Sequence, residues 1–295
     1  MAVTAALVKE LREKSGAGML DCKKALEETN GNIDEAVDWL RKKGLASAAK
    51  KAGRVAAEGL IGIAVEGNKG SLVEVNAETD FVAKNDQFID FVKKVSQLSL
   101  AYDDIEALKA ASFEGSNVQD YLTNLIATIG ENMSLRRTAS LSEPAGGVAA
   151  YVHNAVGEGL GKIGVLVGIK GDASKVEDFG RKVAMHIAAS SPLALDQASL
   201  DPAAVEHERQ VQMDIARNSG KPENIIEKMI EGRIRKYYEE VCLLEQAFAL
   251  NPDIKVGQAA KDEGVEITGF VRYVLGEGIE KKEENFAEEV AKAIQ

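Results

Sequence analysis

The stretch Asn76-Ala-Glu-Thr-Asp-Phe-Val-Ala-Lys-Asn-Asp86 sets a carboxylate, Asp80, beside a large aromatic, Phe81. It lies where the β-like run Ser71–Asn76 stops and the helix-like run Gln87–Val95 begins. Three readings are open for such a step. Asp80 acts as an acid or base, or Thr79 or Asp80 caps the following helix, or the pair stands outward as a wedge against another protein. Phe81 likewise either fills the chain's own core or projects from the loop.

Other groups offer less. Gly159-Leu-Gly-Lys-Ile-Gly164 matches G-x-G-x-x-G, but a dinucleotide loop must open a helix. Here the strand-like Val165-Leu-Val-Gly-Ile169 follows, so a tight hairpin turn is the better reading. The three histidines, His153, His186 and His207, show no H-x-x-x-H spacing, and Cys22 and Cys242 form no C-x-x-C, which argues against zinc. His153 ends an apolar strand, where a partly buried histidine needs no function, and His186 falls on a core helix face. No Ser or Cys has an evident base partner, and none of the 47 acidic residues stands out as a pair. No bond-making chemistry, cofactor or metal is expected, and both cysteines read as reduced thiols.

These residues need a scaffold, and the periodicity supplies one. Thr4 caps Ala6–Lys14, with Leu7, Val8 and Leu11 on one face, and Ser15–Gly18 breaks that helix. Met19–Glu28 follows, offering Leu20, Ala25 and Leu26 to a core. Asn32-Ile-Asp-Glu35 has capping-box spacing and opens Ile33–Lys42, with Ala36, Val37 and Leu40 inward. A basic, small-residue-rich and helix-compatible connector, Lys42–Gly59, comes next. The period then becomes two: Leu60–Glu66 and Ser71–Asn76 read as a hairpin around Gly67–Gly70. Helices follow at Gln87–Leu100 (Phe88, Phe91, Val92, Val95 inward) and Val118–Ile129 (Tyr121, Leu122, Leu125, Ile126 inward), then a short strand from Arg136.

The order then repeats, with Val148–His153, Lys162–Ile169 and a helix at Val176–Ala189. Asp201-Pro202 opens a hairpin of helices that turns at Asn218–Pro222 and returns to Tyr238. Val205, Val211 and Ile215 face Ile225, Ile226, Met229, Ile230 and Ile234 as the expected seam of an antiparallel coiled-coil arm. A strand at Ile267–Leu275 and a helix through Phe286, Val290 and Ile294 close the chain.

The expected fold class is therefore α+β. It comprises an N-terminal three-helix ubiquitin-associated-like bundle, a duplicated core of antiparallel sheet plus helices, an inserted antiparallel coiled-coil helical hairpin and a C-terminal helix. The expected parts are 1–54 (module and connector), 55–145 (first core subdomain), 146–200 and 241–278 (second core subdomain), 201–240 (hairpin) and 279–295 (C-terminal module). The 295 residues carry a net charge of −11, which speaks against broad nucleic-acid binding. The basic pairs Lys50-Lys51 and Arg136-Arg137 are expected on solvated faces or in a protein contact. No run of 18 apolar residues occurs, and the start carries no signal-peptide pattern, so a soluble cytoplasmic protein is expected.

Ser15-Gly-Ala-Gly-Met-Leu-Asp-Cys-Lys-Lys-Ala-Leu26 and Glu78-Thr-Asp-Phe-Val-Ala-Lys-Asn85 closely resemble the two signatures of the bacterial translation elongation factor Ts family. The likeness extends along essentially the whole chain, to the segment Gly276-Glu-Gly-Ile-Glu-Lys281. It implies a guanine-nucleotide exchange factor for elongation factor Tu, forming a heterodimer with possible higher assembly. By that resemblance Arg12, Met19, Leu20 and Lys23 contact the partner's GTPase domain. Thr79, Asp80, Phe81 and Val82 form the wedge that dislocates its magnesium site. His153 also approaches that domain, and Ala249 and Leu250 meet the distal β-barrel. Two departures stand out: Leu20 replaces a frequent methionine, and Gln246-Ala-Phe248 lacks the usual central proline. From the residues alone, an adaptor that binds without altering nucleotide affinity and an enzyme using Gly159–Gly164 stay open.

Overall fold

The computed structural model describes residues 3–15, 17–218 and 222–280. The fold mixes helices with antiparallel sheets. It divides into two compact units. One holds the described residues of Met1–Gly62, Val73–Thr138 and Val274–Gln295, the other Ile63–Leu72 and Ala139–Tyr273.

In the first unit, α1 (Ala5–Ser15), α2 (Met19–Glu28) and α3 (Ile33–Lys51) share a core of Val8, Leu11, Cys22, Ala25, Leu26 and Ala36. Thr4 Oγ1 accepts from the Leu7 amide at 3.3 Å, and Asn32 Oδ1 caps α3 through the Asp34 and Glu35 amides. Glu35 accepts from the Asn32 side-chain amide at 2.8 Å, a variant of the expected capping box. Two expectations are corrected. Leu20 is 83% exposed, because Cys22 at i−3 and i−4 from Ala25 and Leu26 holds the inward face instead. The third helix runs on to Lys51 rather than stopping at Lys42, since Ala46, Ala48 and Ala49 favour helix.

Next come β1 (Glu58–Glu66), β2 (Lys69–Ala77), α4 (Asp86–Leu98), α5 (Ile105–Ala110), β3 (Ser112–Phe113), β4 (Ser116–Asn117), α6 (Val118–Ile129) and β5 (Met133–Ser142). Strands β1, β2 and β5 each pass from one unit into the other. Helix α4 buries Phe88, Phe91, Val92 and Val95, as its spacing predicts. Phe91 stacks on Tyr121 with ring centroids 5.7 Å apart, and Phe113 meets both edge-on. The buried Gly44 lets α3 lie against α6. Sequence reading missed α5: six residues are too few to show a period, although Asp104 caps it through the Ala107 amide.

The second unit contains β6 (Gly146–His153), β7 (Leu160–Gly161), β8 (Ile163–Lys170), α7 (Ala173–Ser190), α8 (Pro202–Arg217), α9 (Glu223–Val241), β9 (Ala247–Phe248), β10 (Asn251–Lys255), α10 (Val256–Asp262) and β11 (Glu266–Val274). Strands β6 and β8 pair antiparallel from Gly146↔Lys170 to His153↔Ile163, and β11 flanks β8. The other sheet runs β5-β2-β1-β7. Val165, Val167 and Ile169 of β8 pack on Val176, Phe179, Val183 and Ile187 of α7, with Leu243, Phe248, Val256 and Ile267 closing the core.

Helices α8 and α9 run antiparallel, because Val205 near the start of α8 clusters with Tyr238 and Val241 at the end of α9. Their seam differs from the expected one. Val211, Ile215 and Ile225 are exposed at 38%, 50% and 46%, while Met213 and Ala216 face Ile226, Ile230 and Ile234. The small Ala216 permits close helix approach there. Gln212 accepts a hydrogen bond from Arg233, which brings a polar link into the seam. The helix expected through Phe286, Val290 and Ile294 lies outside the described residues, as do positions 219–221 of the arm's turn. Among the described residues no helix is long and apolar enough to cross a membrane.

Candidate functional site

The loop after β2 is fixed at both ends. On its leading side, Thr79 donates from its backbone amide to Glu131 Oε2 at 3.0 Å and from its hydroxyl to Glu131 Oε1 at 2.7 Å. The Glu78 carboxylate accepts from the Asn132 amide and lies 3.4 Å from the Arg54 guanidinium. On its trailing side, Val82 and Ala83 open a 3-10 turn and are each 3% exposed. Asn85 then caps α4 through the Gln87 and Phe88 amides at 2.9 and 3.2 Å.

Neither Thr79 nor Asp80 caps the helix. The interposed turn Val82–Lys84 carries α4's first free amides beyond their reach, and Asn85 takes the role. Val82 lies in the chain's own core and anchors the loop from beneath. Phe81, by contrast, is 76% exposed. Lys84 Nζ lies 5.7 Å from its ring centroid and 3.3 Å from Asp80 Oδ2, so one cation steadies both residues. The result is an unburied aromatic and carboxylate on a loop with little freedom.

The same unit exposes a second apolar pair, Met19 (62%) and Leu20 (83%), at the start of α2. Lys23, also exposed, forms an ion pair with Glu27 at 3.7 Å, and Arg12 stands exposed on α1. In the other unit His153 ends β6 and is exposed, not partly buried, with its Nδ1 3.1 Å from the Tyr151 hydroxyl. Ala249 and Leu250, the latter 56% exposed, form the turn between β9 and β10.

That turn is held by contacts that sequence reasoning did not find. His186 on α7 is 3% exposed; its Nε2 lies 2.8 Å from Gln246 Oε1 and its Nδ1 3.2 Å from the Ala249 amide. A backbone amide only donates, so Nδ1 accepts and the proton sits on Nε2. Gln246 also takes the Ser190 hydroxyl at 2.9 Å and donates to the Glu240 carbonyl at 2.6 Å. The motif with alanine in place of proline thus keeps a glutamine hydrogen-bonded through both its amide oxygen and its amide nitrogen.

Burial holds the His186 imidazole below its ordinary value, although the Gln246 hydrogen bond acts the other way. The stability this neutral ring confers is present above about pH 6.5 and is lost as pH falls from there through the lower folded-state value. A His186→Gln chain should be less stable by about 1–2 kcal/mol at pH 7.5 and should lose less on going to pH 5. Equal slopes in the two thermal-unfolding series would remove the histidine from that pH response.

The glycine-rich segment makes a turn. Gly159 has φ of +69°, and a Cβ there would meet the Ile63 carbonyl oxygen at 2.8 Å; one on Gly161 would meet the Val152 side chain at 2.4 Å. Strand β8, not a helix, follows, so the phosphate-cradling geometry is missing. Among the described residues no group of three or more His, Cys, Asp or Glu is arranged to hold a metal.

Glu131 lies 52 residues from Thr79 in sequence, and no spacing rule links them. Lys84 was within reach, being four residues from Asp80 on a turn.

The family model for elongation factor TS matches residues 78–277, the loop with Phe81 at its leading end. Elongation factor Ts of Ruegeria pomeroyi is 61% identical over 295 residues, covering 100% of both chains. That of Paracoccus denitrificans is 59% identical over 293 residues, covering 99% of this chain and 98% of its own. That of Jannaschia sp. is 60% identical over 296 residues, again covering 100% of both. On full-length likeness of this degree, the chain belongs to the elongation factor Ts family.

Proposed function

We propose that this chain is a guanine-nucleotide exchange factor: it binds elongation factor Tu·GDP, disturbs the partner's magnesium and phosphate site and promotes GDP release so that GTP reloads during translation elongation. The observation that carries this reading is the 76% exposure of Phe81 on a loop braced on both sides. A ring left unburied in its own fold is available to bury in another, and truncating such an anchor typically costs about 2–4 kcal/mol. Asp80 accompanies it. Arg12, Met19, Leu20 and Lys23 supply a second contact with the GTPase domain, and His153 a third. Ala249 and Leu250 hold the distal β-barrel. Thr79 and Val82 belong to the site as supports of the wedge.

Exchange follows from coupling. The factor and the nucleotide–magnesium pair favour different conformations of the GTPase, so each weakens the other's binding by the same factor. A wedge that displaces magnesium ligands rather than filling the base pocket speeds loss of GDP and GTP alike, and the nucleotide supply sets the direction. No bond is made or broken, and the chain needs no cofactor, nucleic acid or membrane. The proposed assembly is one chain per partner in the cytoplasm. Its parts are the three-helix ubiquitin-associated-like module, the duplicated core, the coiled-coil arm and the C-terminal module, with the boundaries given above.

Stopped-flow release of a fluorescent GDP from elongation factor Tu tests the reading. Rising chain concentration should accelerate release to a plateau more than about tenfold above the spontaneous rate. Binding without acceleration would make the chain an adaptor.

A further inference from the structure

We propose that Glu131 is a positioning residue for the Asp80–Phe81 pair, its carboxylate a two-point clamp on the residue just before them. The inference rests on the exchange reading and adds a group that acts through Thr79 rather than on the partner.

Both donors of Thr79, amide and hydroxyl, end on the two oxygens of one carboxylate, at 3.0 and 2.7 Å. A bidentate contact of this kind fixes the backbone and the side-chain rotamer of Thr79 together. The brace is reciprocal. While Glu131 takes the amide of residue 79, Glu78 takes the amide of residue 132, so each segment's acid satisfies the other's backbone. Asn132 also donates from Nδ2 to the Arg54 carbonyl at 2.8 Å, tying in the exit of α3. Gly130 makes this geometry possible: it closes α6 at φ of +93°, a conformation suited to glycine, and turns the chain directly into Glu131.

The consequence lies in what remains free. Residues 78 and 79 are fixed by the brace, and residues 82 and 83 by burial. Only Asp80 and Phe81 stand between, steadied by Lys84. A two-residue span between fixed points loses little freedom when its aromatic enters a partner, so the docking energy goes into deforming that partner. Once Glu131 is replaced, part of that energy is spent ordering the loop. The loss then falls on the release step at saturation more than on the initial encounter, which Met19, Leu20 and the second unit still supply.

The test measures fluorescent GDP release from elongation factor Tu with the native chain and with Glu131→Gln, Thr79→Val, Thr79→Ser and Phe81→Ala. Glu131→Gln keeps size and removes the second acceptor; it should lower the plateau rate by about five- to tenfold while shifting the half-saturating concentration less than about twofold. Thr79→Val should fall similarly and Thr79→Ser should retain the native rate. The Glu131→Gln, Thr79→Val double variant should match the worse single one, because both remove one contact. Amide exchange at Thr79 should quicken in Glu131→Gln. A native plateau in Glu131→Gln alongside a slow Phe81→Ala overturns the clamp and leaves exchange standing. Native plateaus in both overturn the clamp together with the wedge role of Phe81 on which it rests, and a native chain that gives no acceleration overturns the exchange reading itself. Should Glu131→Gln fold differently by circular dichroism, the valine and serine variants decide from the other end of the contact, with equal rates overturning the proposal.

Discussion

Replacing Phe81 with alanine is expected to lower the plateau rate of GDP release from elongation factor Tu by on the order of 30–100-fold. The chain's own stability should stay within about 1 kcal/mol of native. The two halves of this expectation come from one fact, that the ring is 76% exposed. An exposed side chain contributes little to its own fold, and the Lys84 ammonium 5.7 Å from its ring centroid is worth about 0.5–1 kcal/mol at such a site. The same ring, fully desolvated in a partner, is worth several times that. Phe81→Leu should lie between native and alanine, since it restores volume without the flat aromatic face. Differential scanning calorimetry and stopped-flow fluorescence on one set of preparations check the whole claim. A large drop in melting temperature for Phe81→Ala would mean that the ring serves the fold and not the partner.

How far this site was legible in sequence divides along a physical line. Local periodicity placed β2, α4, α6 and β8, because each carries a period-two or period-3.6 apolar pattern long enough to read. The position of the Asp80–Phe81 step between strand and helix followed. The cap did not: a three-residue turn intervenes, and turns of that length leave no periodic trace, so Asn85 was overlooked beside Thr79 and Asp80. The arm failed for another reason. Stripes through Val211–Ile215 and through Met213–Ala216 both satisfy helical spacing, and hydropathy favours the larger pair. The structure chose the stripe with the small residue, where the helices can close. Long-range polar contacts were not legible at all. Glu131 with Thr79, His186 with Ala249 and Glu74 with Arg137 are each separated by more than 50 residues.

The last of these carries the second large expectation. Arg136 and Arg137, expected from sequence on solvated faces or in a protein contact, converge within the chain on Glu74, a carboxylate with 0% exposure in the middle of β2. Glu74 Oε1 accepts from Arg136 Nη1 at 3.0 Å, Asn76 Nδ2 at 3.0 Å and the Gly276 amide at 2.8 Å, while Oε2 accepts from Arg137 Nε. The two arginines reach on to the carbonyls of Glu277 and Val274 at 2.7 and 3.0 Å. One buried charge thus pins the chain at Val274–Glu277 to strands β2 and β5. Burial by itself would push the carboxyl up. The donors from Gly276, Asn76 and Arg137, with the guanidinium charge, outweigh it and hold the group below its ordinary value of 4.5. The sign follows: this stability is fully present above that ordinary value and is lost as pH falls through the lower folded-state value. Removing one member of a buried ion cluster costs about 3–5 kcal/mol, and the arginine side chains, each 29% exposed, recover part of their hydration. Glu74→Gln is therefore expected to cost about 3 kcal/mol at pH 7, lowering the melting temperature by about 6–12 °C. Its stability should also fall less steeply below pH 4.5 than that of the native chain. Amide exchange at Gly276 should quicken by about a hundredfold as its acceptor weakens. If Gly276 stays protected while the melting temperature drops, the cluster supports the sheet alone and does not hold the segment that follows β11.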